Sequence, residues 1–536
     1  MRFRRLAIPA LLVFAACRGG ESVPQRHTFI DSRDRYDPRS LDPALSTDVP
    51  TGRAVSYLFD GLTGFTPDAK VTPALATRWE VSRDGRRYTF HLRPGVTFHD
   101  GTPLRAEQVV HSFERALDPR TRGGRGWPLY PIAGARDFAD GKARTIRGLT
   151  VLDDSTLRIQ LDTALAIFPK LLAMPVASIV PDSTPPDFGE HPVGTGPWRL
   201  VRWKHDDYVL FARNPRYWDH PPAMDSLMIR IVPEPSTAVA EFEAGNVDLL
   251  YVPEAETSQW EQTDERKALL VSAPALRLWY VAINTTRGPL KDVRVRRALN
   301  YAVDVGTILE RLVGGRGRLA AGVIPPALDG ADTTRRPYGY DPAGARQLLA
   351  QAGYPNGFDV ELWVGQDETF QRVAQSIQAY LAAVGVRAKI VQRDNASARE
   401  AARNGETDLI LKDWYADYPD GEDFLYPLLD GATRGVGGNV SFYANPAFDR
   451  LVSQARTTQD DAQRAALYER ADSIAFAEAP MIYLFFYNEL YAVQPWISGY
   501  EVPMIFNGQR LLNVRMGTQG PGNREPGTGE PGTGRR

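Results

Sequence analysis

The stretch Asp408-Leu-Ile-Leu-Lys-Asp-Trp-Tyr-Ala-Asp-Tyr-Pro-Asp420 decides the fold of the second half of this chain. Its short apolar run predicts a buried strand at residues 409–411. The strand is expected to end in a loop that carries two aromatic residues and a carboxylate, Trp414, Tyr415 and Asp417. Ligands meet α/β units at the carboxyl ends of the strands, so this loop is the first candidate for a binding site. An Asp flanked by aromatic residues there suits the capture of an ammonium group.

The residues before this stretch alternate between strand and helix patterns. We predict strands at residues 360–364 and 386–391, because both are short and rich in β-branched residues. Helical periodicity predicts helices at residues 369–384 and 396–404. This alternation is typical of an α/β unit.

A similar unit occurs earlier in the chain. Residues 226–232, 236–244 and 247–252 predict strand, helix and strand, and the second turn reads Ala244-Gly-Asn-Val-Asp-Leu-Leu250. The later unit carries Asn404-Gly-Glu-Thr-Asp-Leu-Ile410 at the equivalent place. Glycine fits the position after a helix, and the apolar residues open a strand. Two α/β lobes of related design would explain this internal similarity between the two units, and chance similarity is the alternative.

Residues 60–190 have a different texture, typical of a mixed α+β segment. Residues 106–117 predict an amphipathic helix, and residues 149–161 predict two short strands around a turn. Further on, residues 292–313 are the longest helix candidate, with apolar side chains on one face and basic side chains outside it.

Composition limits the possible classes of protein. A chain of 536 residues is too long for one hydrophobic core, so two or three domains are expected. Hydrophobic content of 43% and charged content of 24% fit a soluble globular protein. The formal charge of −2 gives no support for nucleic-acid binding.

The N-terminus predicts export. Three arginines at positions 2, 4 and 5 precede an apolar stretch at residues 6–16 that is too short to span a bilayer. The stretch ends Phe14-Ala-Ala-Cys17, which resembles a bacterial lipobox, although Phe14 replaces the usual Leu. We predict a lipoprotein signal peptide at residues 1–17, lipidation of Cys17 and a polar tether at residues 18–26. An ordinary signal peptide that contains a cysteine is the alternative.

Motifs for chemistry are missing from the sequence. The seven histidines include no His-Glu-x-x-His pattern, the single cysteine excludes a cysteine pair, and no Gly-x-Ser-x-Gly elbow occurs. Gly315-Arg-Gly-Arg-Leu-Ala320 follows a helix rather than a strand, so it lacks the context of a dinucleotide site. We therefore predict a binding protein without metal or cofactor, not an enzyme. The alternative for Trp414, Tyr415 and Asp417 is a structural role as core aromatics and a turn former.

Several runs together resemble one family, the extracellular solute-binding proteins of the peptide/nickel/opine type (family 5), which serve ATP-driven importers. The runs, in chain order, are Leu41-Asp-Pro-Ala44, Leu58-Phe-Asp-Gly-Leu62, Phe98-His-Asp-Gly-Thr-Pro103, Val193-Gly-Thr-Gly-Pro-Trp198, Arg213-Asn-Pro-Arg-Tyr-Trp218, Asp292-Val-Arg-Val-Arg-Arg-Ala-Leu299 and Asn445-Pro-Ala-Phe-Asp449. Each run is weak alone, but their order and spacing are specific. Within the family, the oligopeptide and dipeptide binders are the most similar in pattern.

The resemblance implies an α/β fold of two lobes, like the class II periplasmic binding proteins, with an additional α+β domain inserted in the first lobe. The predicted divisions are lobe I at residues 27–58, 190–279 and 489–516, the additional domain at 59–189, lobe II at 280–488 and a Gly/Pro-rich disordered tail at 517–536. The implied partners are a peptide ligand, an inner-membrane permease and the membrane that holds the lipid anchor. A monomer in the periplasm or cell envelope is expected.

The resemblance also implies site residues. Asp417 would pair with the α-ammonium of a peptide, with Trp414 and Tyr415 walling the site. The other predicted ligand-binding residues are Thr47, Asp48, Val49, Tyr280, Asn395, Asn439, Ser441 and Tyr443. Arg393 and Lys412 are nearby candidates for the peptide carboxylate. A receptor for a sugar, opine or nickel chelate, a secreted peptidase or amidase, and a sensor or chaperone-like receptor remain the alternatives.

Overall fold

The structure is a computed structural model that describes residues 28–517. Its strands are β1 (Thr28–Asp31), β2 (Thr63–Phe65), β3 (Val71–Pro73), β4 (Ala76–Val81), β5 (Arg87–Leu92), β6 (Leu149–Asp153), β7 (Thr156–Gln160), β8 (Trp198–Lys204), β9 (Tyr208–Arg213), β10 (Ser226–Arg230), β11 (Leu249–Tyr251), β12 (Leu270–Ile283), β13 (Gly317–Leu319), β14 (Phe358–Val364), β15 (Val386–Gln392), β16 (Leu409–Tyr415), β17 (Met481–Val493), β18 (Ile497–Ser498) and β19 (Arg515–Met516).

The α-helices connect these strands. They are α1 (Val49–Leu58), α2 (Ala106–Leu117), α3 (Ala135–Ala139), α4 (Phe168–Leu171), α5 (Pro235–Glu243), α6 (Thr257–Glu261), α7 (Asp264–Lys267), α8 (Val293–Ala302), α9 (Val305–Leu312), α10 (Pro342–Gln351), α11 (Glu368–Ala383), α12 (Asn395–Arg403), α13 (Glu422–Leu429), α14 (Pro446–Thr457) and α15 (Asp461–Glu478). No helix within residues 28–517 has the length and apolar composition that a membrane span requires.

One eleven-stranded sheet runs through both lobes. Its order is β15-β14-β16-β12-β17-β11-β1-β10-β9-β8, and β13 pairs with β17 outside this path. The long strands β12 and β17 pair with each other at the centre, so they join the second lobe (β14–β16) to the first lobe (β1 and β8–β11). Both strands are almost entirely buried, which explains their apolar composition.

An additional α+β domain is inserted in the first lobe. Its four-stranded antiparallel sheet has the order β4-β5-β7-β6, and α2, α3 and α4 belong to the same segment. The predicted helix at residues 106–117 and the two short strands around the turn at residues 153–155 are confirmed. The fold is therefore the predicted two-lobed α/β fold with an α+β insert, whereas the residue boundaries of the domains stay a prediction.

The internal sequence similarity corresponds to a repeated topology. In the first lobe, β1 lies between β10 and β11 and is parallel to both, and α5 connects that pair. In the second lobe, β14 lies between β15 and β16 in the same way, and α12 connects that pair. Gly245 and Gly405 follow the two helices with φ of 75° each, a conformation that glycine adopts without strain. The prediction of two related lobes is confirmed.

Two local predictions were wrong. Trp414 and Tyr415 do not lie in a loop, because β16 extends to Tyr415 by pairing with β12 along its whole length. The single helix predicted at residues 292–313 is two helices, α8 and α9, since the Asp304 carboxylate accepts a hydrogen bond from Thr307 N at 3.0 Å and caps α9. The longest helix of the described residues is α15.

Candidate functional site

A cavity of about 700 Å³ lies where the first lobe, the additional domain and the second lobe meet. Residues 39 and 46–49 of the first lobe, Arg125 and residues 174–176 of the additional domain, and residues of α11, α12 and β16 line it. Its volume falls within the range of pockets that hold small ligands. Five predicted site residues from the two lobes, Thr47, Asp48, Val49, Asn395 and Asp417, and the two aromatics, Trp414 and Tyr415, line this cavity.

One edge of β16 is open toward the cavity. β14 pairs with β16 only at Leu409 and Ile410, whereas β12 pairs with β16 as far as Tyr415. Ala416 N donates to Leu276 O across the β12 side at 2.8 Å. Backbone groups of alternate residues point to opposite sides of a strand, so those of Asp413 and Tyr415 point away from β12. Both residues line the cavity, which therefore contains an unpaired strand edge.

Asp417 follows this edge and is only 9% exposed. Its Oδ1 accepts a hydrogen bond from Arg125 Nη1 of the additional domain at 2.9 Å. Burial raises the pKa of Asp417, and the Arg125 guanidinium opposes that shift without cancelling it. The carboxylate is thus held at the cavity wall with a cation as its partner, and its charge would be costly without one.

Asp423 lies directly behind Asp417 and fixes its position. Asp417 N donates to Asp423 Oδ2 at 2.8 Å, and Trp414 Nε1 donates to the same oxygen at 3.3 Å. Burial and the neighbouring Asp417 charge raise the pKa of Asp423 well above its ordinary value. By accepting these two hydrogen bonds, the Asp423 carboxyl positions both the Asp417 backbone and the Trp414 ring.

The aromatic residues flank the acid as expected. Trp414 is half-buried and lines the cavity. The ring of Tyr415 lies 6.3 Å from that of Phe506, between ring centroids, and Phe506 lines the cavity too. Burial raises the pKa of the Tyr415 hydroxyl, so this group stays neutral at physiological pH.

The 46–49 loop supplies the opposite wall. The Asp48 carboxylate caps α1 by accepting a hydrogen bond from Thr51 N at 3.0 Å. Its other oxygen lies 3.5 Å from Arg39 Nε. Asp48 therefore lines the cavity with its charge already engaged.

Asn395 begins α12 on the second-lobe side of the cavity. Its Oδ1 lies 2.1 Å from the place that a Cβ on Gly365 would occupy. Glycine at 365 permits this approach, so the Asn395 side chain lies against the end of β14.

Four predicted site residues do not line the cavity. Asn439 is fully buried, and its Nδ2 donates to the carbonyl oxygens of Asp430 at 3.0 Å and Tyr443 at 2.9 Å. Ser441 Oγ donates to Asn439 Oδ1, and the Tyr443 ring packs on a neighbouring phenylalanine. Tyr280 lies in β12 between β16 and β17, with 2% of its surface exposed. The prediction that they face the cleft was wrong, because these side chains complete the packing of the second lobe.

Sequence reasoning missed most of the cations of this site. Arg39, Arg125, Arg399 and Arg403 line the cavity together with Lys412. Of the two residues considered for a carboxylate, Lys412 lines the cavity, whereas Arg393 is absent from the lining and stacks over Trp363 at 5.7 Å. Arg399 and Arg403 lie four residues apart on α12, a spacing that puts both on one helix face and was the available signal.

The described part of the chain, residues 28–517, contains no group of three or more His, Cys, Asp or Glu side chains placed so that it could hold a metal ion. The cavity combines an open strand edge, a buried acid and several cations. Such an arrangement can bind an extended, charged ligand through backbone hydrogen bonds and ion pairs.

Comparison with known proteins identifies the family. The family model described as bacterial extracellular solute-binding proteins, family 5 Middle, matches residues 70–435. Heme-binding protein A of Haemophilus influenzae is 33% identical over 529 residues, which cover 92% of this chain and 95% of that protein. The dipeptide-binding protein of Escherichia coli is 31% identical over 491 residues, which cover 87% of this chain and 90% of that protein.

A solved structure shows the same fold. The periplasmic binding protein DppA from Helicobacter pylori, in complex with the peptide STSA, matches with a TM-score of 0.77 and 29% identity. The match covers 91% of this chain and 98% of that one. The fold is that of the two-lobed periplasmic binding proteins, and the chain belongs to the bacterial extracellular solute-binding proteins of family 5.

Proposed function

We propose that this protein captures short peptides in the cavity and delivers them to an inner-membrane permease of an ATP-driven importer. The open edge of β16 is the observation that carries the proposal. An extended peptide can add along this edge and bond to the backbone of Asp413 and Tyr415, which gives affinity with little dependence on side chains. The peptide-bound relative from Helicobacter pylori supports this use of the fold.

Asp417 is the proposed anchor for the α-ammonium of the peptide. It follows the C-terminal end of the open edge directly, so a strand that adds antiparallel to β16 brings its amino end to this carboxylate. Arg125 now provides the positive partner, and the ammonium would share or replace it. Cations elsewhere in the cavity are available for the terminal carboxylate of the peptide.

The proposal includes export and anchoring. Cys17 lies outside the described residues, and the lipobox-like sequence before it supports lipidation after export. The protein would then act as a monomeric lipoprotein at the cell envelope. The related proteins are described as binding proteins, which supports a function without a chemical step.

The test is calorimetric titration with tripeptides and with analogues methylated on their backbone nitrogens. We expect the unmodified peptides to bind and N-methylation to weaken binding by more than about tenfold, because each methyl removes a donor from the strand and clashes with the edge. Equal affinities for methylated and unmethylated peptides would contradict strand addition. Failure of every peptide to bind would refute the proposed function.

A receptor for another carboxylated solute is the second candidate, favoured by the heme-binding relative and by the cations of the cavity. Native mass spectrometry of protein purified without refolding separates the two. A co-purified mass that fragments as a peptide supports the first candidate, and heme or another non-peptide solute supports the second.

A further inference from the structure

Three cations of the cavity are not used by the contacts described above. Arg399 and Arg403 lie on α12, and Lys412 lies on β16 beside the open edge. Among the described residues, none of the three forms an ion pair with a carboxylate. They therefore form a cationic wall on the second-lobe side of the cavity.

The four carboxylates that line the cavity are engaged elsewhere. Asp413 accepts from Arg277 Nε at 2.8 Å, and Asp417 accepts from Arg125. Asp48 caps α1, and Asp367 caps α11 by accepting from the backbone N–H of residue 370 at 3.0 Å. Of these four, Asp413 also attracts Lys412 and Arg399, but it is already paired with Arg277, and its attraction does not outweigh the burial and mutual repulsion of the cations.

The three cations also destabilise one another. Burial lowers the pKa of Arg399, and Arg403, Arg125 and Arg39 lower it further. Burial and Arg399 lower the pKa of Lys412 to about 8, although Asp413 opposes them. Buried cations that repel one another bind an anion favourably, because the anion relieves their repulsion.

Position along β16 tells which part of a peptide reaches this wall. Lys412 precedes Asp417 by five residues, roughly 16 Å of extended strand at about 3.3 Å per residue. A peptide anchored at Asp417 by its amino end would run antiparallel to β16 toward Lys412. Its later side chains and its terminal carboxylate would then meet the cationic wall.

We propose that the cavity selects acidic peptides, which carry a side-chain carboxylate in addition to the terminal one. One terminal carboxylate can pair with one cation of the wall, whereas a second carboxylate occupies a further one. This inference rests on the proposed function, since it assumes that the ligand is a peptide anchored at Asp417. It assigns Arg399, Arg403 and Lys412 as specificity-determining residues.

The test compares three tetrapeptides with free termini, Ala-Ala-Ala-Ala, Ala-Ala-Glu-Ala and Ala-Ala-Lys-Ala, by calorimetry on the purified full chain. We expect the Glu peptide to bind more than about tenfold tighter than the Lys peptide, with the Ala peptide between them. The double variant R399Q/R403Q should reduce the Glu-over-Lys ratio to less than about threefold. The control R393Q removes a neighbouring cation that does not line the cavity, and it should keep the ratio.

The outcomes separate this inference from the proposed function. Three equal affinities would overturn the charge selection and leave peptide binding intact, whereas failure of all three peptides to bind would overturn both. A variant that keeps the full ratio would also refute the role of Arg399 and Arg403. If the double variant does not fold, the wild-type protein provides the test. The ratio of its affinities for the Glu and Lys peptides must shrink as salt rises from about 0.05 to 0.5 M.

Discussion

Asp417→Asn tests the ammonium anchor directly. The substitution keeps the shape of the side chain but removes its charge, and the carboxylate it replaces is 9% exposed. Without peptide, the substitution should cost little folding free energy. Its partner Arg125 keeps 37% of its side-chain surface exposed and stays solvated when the carboxylate is removed. With peptide bound, the ammonium loses its only proposed anionic partner, the buried Asp417 carboxylate.

The magnitude follows from that difference in solvation. Truncating one partner of a buried charge pair costs about 2–5 kcal/mol in binding, and a central value of about 3 kcal/mol corresponds to roughly a 150-fold weaker Kd. An N-acetylated peptide has no ammonium, so its Kd should change by less than about threefold. Calorimetry measures the factor by which Asp417→Asn raises the Kd of each peptide, and the ratio of the two factors is the readout.

Asp413→Asn is the matched control. Asp413 is the same residue type, lies on β16 four residues before Asp417 and lines the same cavity, but it pairs with Arg277 at 2.8 Å. We expect this variant to change the Kd of the free-amine peptide and the Kd of the N-acetylated peptide by similar factors. Equal losses for both peptides in Asp417→Asn would refute the anchor.

Three further predictions concern stability, pH and location. Asp423→Asn should stabilise the protein more at pH 8 than near pH 4, because burial and Asp417 raise the pKa of Asp423 and its ionised form destabilises the folded state as pH rises above the ordinary carboxyl pKa of 3.8. Thermal unfolding at the two pH values measures this, and an effect independent of pH would contradict it. Calorimetry should show that an N-acetylated acidic peptide binds more weakly as pH rises through about 8. Burial and a neighbouring arginine lower the pKa of Lys412 to about 8, so this cation is lost there, and Lys412→Met should abolish the pH dependence. Cys17→Ser should release the protein from the membrane fraction, and continued sedimentation with membranes would refute lipidation.

Local sequence patterns predicted the α/β units well, since strand and helix periodicity and the glycines after helices are local signals. The failure at Trp414 and Tyr415 had a non-local cause. Their strand conformation depends on pairing with β12, where Arg277 contacts Asp413 across 136 positions of sequence. No pattern around residue 414 contains that information, so the strand was predicted to end too early.

The site shows the same limit. Asp417 was found because its motif resembles one family, but Arg125 reaches it from 292 positions away in a Gly/Arg-rich loop without a recognisable motif. Asn439, Ser441 and Tyr443 were misplaced because their segment is a series of turns. Phe442 has φ of 52°, which turns the chain and directs the neighbouring side chains into the core.

Within residues 28–517, two ion pairs connect the additional domain to the second lobe, and a peptide would affect them differently. Arg125 pairs with Asp417 inside the cavity, whereas Lys170 pairs with Asp420 at 2.6 Å outside its lining. Burial acts to raise the pKa of Asp420, but Lys170 and Arg464 outweigh it and hold that pKa below its ordinary value. The Asp420 charge is thus already satisfied, and a peptide ammonium gains nothing by displacing Lys170. Because capture at Asp417 exchanges only one of these two ion pairs, we expect the additional domain to stay docked on the second lobe when peptide binds.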